Sequence, residues 1–82
     1  MRLKIRGQVW TMRDAKIDNL GQCTYPELLI EVKAGQGQQE RMDTILHEVL
    51  HALDPKLTEE KIIRLAGTLT AALWKDGYRR RG

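Results

Sequence analysis

The sequence predicts an α+β fold, a small and mostly antiparallel sheet packed against a helix near Gln38 to Leu53 and a second, C-terminal helix. Three observations predict it. The first half alternates apolar and polar residues with the two-residue period of half-buried strands. The second half twice carries apolar residues at helical spacing. Between the two helical runs stands Asp54-Pro55, and the residue before a proline is pushed away from helical backbone angles.

Taken in order, Leu3, Ile5 and Val9 alternate with Arg2, Lys4, Arg6 and Gln8, which predicts one strand with Gly7 on its inward side, marking a bulge or close packing. Trp10 and Met12 continue the apolar content on the other phase, which predicts a bend, with Trp10 in the core rather than on the wall of a groove. Arg13 to Gly21 is poor in regular signal. Asp18-Asn19 and Leu20-Gly21 read as turn positions, with Gly21 tolerating positive φ. A short strand is expected over Gln22 to Tyr25, stopped by Pro26 or kept at an edge by it. Glu27 to Lys33 is the second clear strand, with Leu28, Ile30 and Val32 on one face. The Gly/Gln-rich stretch from Ala34 to Gln39 leads into the first helix.

In that helix Met42, Ile45, Leu46, Val49, Leu50 and Leu53 form one apolar stripe. Thr58 is an expected N-cap for the second helix, with Glu59 and Glu60 in its first turn, where the helix dipole favours acids. The second stripe is Ile62, Leu65, Ala66, Leu69, Ala72 and Leu73, with Gly67 weakening the helix or allowing close contact, and Gly77 suits a C-terminal cap. Residues 1–78 form a single domain, and 79–82 a basic tail expected to be disordered.

Thr44 to Leu53 reads T-I-L-H-E-V-L-H-A-L and contains an H-E-x-x-H motif: His47, Glu48 and His51. Residues four apart lie on one face of a helix, one turn above the other, so two such imidazoles can share one Zn²⁺. Glu48 adjoins His47 and is suited to take a proton from a water activated there as it attacks a carbonyl. Both histidines fall outside the apolar stripe, beside Glu40, Thr44 and Asp54. That position suits surface groups in solvent or, preferably, a site beneath a second packed layer.

A catalytic zinc site usually has three protein ligands and an open position. There is no third histidine in the 82 residues, so a carboxylate is expected, from Asp54, Glu59 or Glu60. Asp54 would have to reach back along its own helix, and suits a hydrogen bond to a ligand's free ring nitrogen as well. The short D-P-K-L-T link folds the second helix back beside the first, which brings its start near His51. About 60° separates Glu59 from the centre of the second stripe at Ile62, and about 160° separates Glu60, so Glu59 points inward more readily and Glu60 is the runner-up.

Composition narrows the classes. One cysteine, Cys23, forbids an intrachain disulfide and reads as a partly buried small hydrophobe. No targeting segment is evident and no apolar run approaches a membrane span, so the cytoplasm is the expected compartment and a membrane partner is not expected. The formal charge of +3 is small, and the cluster Lys75, Arg79, Arg80 and Arg81 is explained by a solvated end as well as by nucleic acid, which is not favoured as the main partner.

The motif, followed by Glu59-Glu60 and a second amphipathic helix, resembles the zincin metallopeptidases, and is most similar to minimal phage and bacterial forms near the SprT-like and ImmA/IrrE-like groups. The resemblance spans about Leu28 to Tyr78 and is specific over Thr44 to Ala52. It implies a zincin-like fold, zinc on His47 and His51, Glu48 as general base, and hydrolysis of a peptide or protein substrate that pairs with the Leu28 to Lys33 strand as an exposed edge. The chain departs from the longer H-E-x-x-H-x-x-G-x-x-H form: Asp54 stands at the glycine and Leu57 at the third histidine. Tyr25, Tyr78 and the solvent are all open as transition-state donors, with none favoured. The alternative is a non-catalytic interaction protein on the same scaffold, binding a protein or nucleic acid.

Overall fold

The computed structural model describes residues 1–81; Gly82, the last residue of the expected tail, lies outside them. The chain forms strands β1 (Arg2–Ile5), β2 (Gln8–Ala15), β3 (Gly21–Thr24) and β4 (Leu29–Lys33), then helices α1 (Gln38–Leu53) and α2 (Glu59–Lys75). The class is α+β, as expected. The sheet runs β1-β2-β4-β3. Its two outer pairings are antiparallel, but β2 and β4 pair in parallel, so the sheet is mixed. A parallel pair needs a crossover of a dozen residues or more, and residues 16–28, which carry β3, supply it.

The single strand expected through Val9 is in fact a hairpin. Arg6 and Gly7 have φ of 51° and 79°, and positive φ at both central residues is what a two-residue type I′ turn requires. The turn sets Leu3 opposite Trp10 and Ile5 opposite Gln8. Odd residues of β1 therefore share a face with even residues of β2, and Val9 turns to solvent. The change of phase between Ile5 and Trp10 is thus this turn, not a bend, and Gly7 is no inward bulge.

Ile5, Trp10, Met12, Ile30, Val32 and Ala52 form the buried core, with Leu3, Cys23, Leu28, Ile45 and Val49 packed around it. Ile30 and Val32 have no exposed surface because β4 is an inner strand, flanked by β2 and β3. This corrects the expectation that the Leu28 to Lys33 strand is an open edge. The edges are β1 and β3, and Pro26 closes the second of these.

Helix α1 packs on β3 and β4 with one side and on α2 with another. Its expected stripe is therefore split. Ile45 and Val49 meet the core, the deepest residues are Thr44, Glu48 and Ala52, and Leu53 is exposed. In α2 the buried line is Ile62, Ala66 and Thr70, while Leu65 and Leu69 of the expected stripe are each 43% exposed. The Thr58 hydroxyl accepts from the Lys61 amide as the N-cap. Beyond Asp76, the Gly77 and Tyr78 amides donate to the Trp74 and Leu73 carbonyls, a Schellman closure. The Arg79 guanidinium lies 3.3 Å over the Trp74 ring, and the Arg80 amide donates to Gln38 Oε1 at 3.0 Å, so the basic end makes contacts as far as Arg80. No helix among the described residues is long and apolar enough to cross a membrane.

Candidate metal centre

Four-residue spacing on α1 puts His47 and His51 on one side of the helix, with ring centroids 5.0 Å apart. The link that follows brings α2 to them. Asp54 ends α1 in an extended conformation, its Oδ1 accepts from the Lys56 amide at 3.1 Å, and its carbonyl accepts from the Leu57 amide. These bonds make the reversal compact, and the Thr58 cap starts α2 at once. Glu59, the first residue of α2, then faces the histidines. Its Oε1 lies 2.7 Å from His47 Nε2 and its Oε2 lies 3.0 Å from His51 Nε2. The three donor atoms lie within 4.8 Å of one another, close enough to hold a metal ion.

Of the three carboxylates considered from sequence, Glu59 is the one brought into this cluster. Glu60 is exposed and outside it, and the Asp54 carboxylate is engaged in the turn. The histidines are half-buried under the start of α2, which is the second packed layer.

Glu48 is 8% exposed and points to β3. Burial pushes its carboxyl above the usual carboxylate range, the neighbouring Glu59 adds to this, and His47 and His51 oppose it. Its neighbour on the sheet is Gly21. A Cβ there would lie 2.7 Å from Thr44 Cγ2, 3.0 Å from Glu48 Cγ and 3.1 Å from Glu48 Oε2. The expectation of a positive-φ turn at Gly21 is thus replaced by a different need: the missing side chain lets the edge strand lie against α1. Leu20, Gly21, Asp43, Thr44, His47 and Glu48 line a cleft of about 240 Å³. The carboxylate and one imidazole are therefore reachable from the same opening.

Sequence reasoning read Gly21 only as a turn and Thr44 only as a neighbour of the histidines, gave neither a part in this site, and left Tyr25 and Tyr78 equal. The Tyr25 hydroxyl donates to the His51 carbonyl, and its ring meets Trp10 edge-on at 5.5 Å. Tyr78 is exposed and follows α2. Cys23 is half-buried against the core, and burial raises its thiol pKa, with the Glu48 charge adding to the rise. Only Gly21 and Pro26, at the two ends of β3, hinted at this neighbourhood, since what joins β3 to α1 is tertiary contact. Compared with known protein families, curated proteins and solved structures, the chain matches none.

Proposed function

We propose that the chain is a minimal zincin-like, zinc-dependent peptidase acting on a peptide or protein substrate. The observation that carries this reading is Glu59, whose two carboxylate oxygens reach both histidines of the H-E-x-x-H motif from a different helix. Two imidazole nitrogens and a carboxylate oxygen are a donor set that zinc takes in hydrolytic sites, and they leave a position open. His47, His51 and Glu59 would hold the ion, which would supply a Lewis acid to polarise the scissile carbonyl and acidify water.

Glu48 stands outside the donor cluster and lines the adjoining cleft, so it is free for proton transfer. Its carboxylate takes the proton from the attacking water and passes it to the leaving amine nitrogen. A carboxyl raised by burial suits this task, because the group has to hold a proton between the two transfers. Gly21 keeps the space that this carboxylate occupies, and Tyr25 ties the turn after β3 to the backbone of His51.

The test combines elemental analysis with digestion of a peptide library read by mass spectrometry. Wild type is expected to carry about one zinc per chain, and the His47→Ala/His51→Ala double variant none. Glu48→Gln is expected to keep its zinc and lose cleavage, because an amide cannot accept the proton. Equal zinc in wild type and double variant would overturn the metal assignment. Zinc binding with no Glu48-dependent cleavage would point instead to a non-catalytic interaction protein on the same scaffold.

A further inference from the structure

We propose that the groove between α1 and α2, on the side of α1 away from the histidines, is a docking surface for an acidic amphipathic helix of a partner protein. The inference does not rest on the metal reading. The cleft measures about 760 Å³ and has an apolar floor of Met42, Ile45, Leu46 and Leu73. Beyond the cleft, Leu69 and Leu65 follow Leu73 along α2 at four-residue spacing, each one turn further on and each 43% exposed. Leu65 to Leu73 makes a strip about 12 Å long, which matches the two to three turns over which a helix presents side chains four residues apart. On α1, Met42 and Leu46 lie about 100° or more around the helix from His47 and His51, so an occupant here leaves the metal cluster uncovered.

The rim identifies the occupant. Arg41, Arg80 and Arg81 border the cleft. Arg41 and Arg80 share a single carboxylate, Asp14, at 2.8 and 3.6 Å. Three cations against one anion leave the rim positive, which favours a partner with acidic residues beside its apolar face. Nucleic acid would meet the arginines but gain nothing from the leucine and methionine floor. A second copy joined about a two-fold axis would set the same arginine-rimmed patch against itself, bringing like charges together.

The probe is a fluorescein-labelled synthetic helix of about four turns, with leucines on one face and glutamates on the other, titrated with the full chain by fluorescence anisotropy. Its counterpart carries lysine at every glutamate. The acidic helix is expected to bind and the lysine helix to bind at least about tenfold more weakly. Leu69→Glu and, separately, Leu65→Glu should each weaken binding at least about tenfold. Both positions are exposed, and unchanged circular dichroism would verify that the fold is intact. Arg80→Glu/Arg81→Glu should weaken binding and flatten its salt dependence. His47→Ala/His51→Ala should bind like wild type, which separates this surface from the metal site. No binding of the acidic helix up to about 1 mM, or equal binding by both leucine variants and wild type, would overturn the proposal. So would tighter binding of a DNA or RNA oligonucleotide that competes for the groove, or a dimer in sedimentation that Leu69→Glu dissolves.

Discussion

Glu59 and Glu60 are adjacent and chemically identical, yet one carboxylate meets two imidazoles and the other meets solvent. The cause is the 100° step between neighbours on a helix, which turns only Glu59 toward α1. Glu59→Gln is therefore expected to lower zinc affinity by at least about tenfold in a chelator-competition titration, while Glu60→Gln titrates like wild type. The reverse order would move the third ligand to Glu60. The same scale explains Gly21 and Glu48. A buried carboxylate needs room, and the room comes from a residue without a side chain on the facing strand.

At the scale of elements, the short reversal between α1 and α2 builds the cluster, and its parts are local: an Asp54 turn, Pro55 and the Thr58 cap. The N-terminal hairpin is equally local, but its Arg6-Gly7 turn lacks the Asn or Asp that usually signals such a geometry. Gly67 offers a clean test of α2. A Cβ there would meet nothing within 4 Å, so the glycine serves no close helix contact and only weakens the helix. Gly67→Ala should stabilise the chain by about 0.5–1 kcal/mol, measured by urea unfolding at constant m-value. A loss of stability would mean that α2 packs more closely at Gly67 than described above.

For the whole molecule, 82 residues bury a small core, here one sheet face with Ala52 and its neighbours from α1. Helix α2 lies outside that core, held by its interface with α1, in which the Thr70 hydroxyl donates to Asp43 Oδ1. A metal on His47, His51 and Glu59 would clip the two helices together, and binding to the folded state alone adds stability by mass action. With zinc at one hundred times its dissociation constant the gain is about 2.7 kcal/mol, a rise of about 10–20 °C in Tm for a domain of this size. Calorimetry with zinc and with chelator should show that rise in wild type and none in His47→Ala/His51→Ala. An equal rise in both would place the zinc elsewhere.

The two helices, the bounds of the first, the Thr58 cap of the second and the trio His47, Glu48 and His51 were legible in the chain itself. Each depends on neighbours within a few residues, through helical periodicity, capping and the proline constraint. The short link even favoured Glu59 over Glu60, since helix phase is a local property. Tertiary structure alone decided the rest. Whether β4 is an edge or an inner strand depends on where β3 lies, and strand order is set by long-range pairing that no local period records. The burial of Glu48 beneath Gly21, the turn of Tyr25 toward His51 and the open Leu65 to Leu73 strip have the same origin. An amphipathic helix announces that it has an apolar face, but the neighbouring elements determine how much of that face is covered.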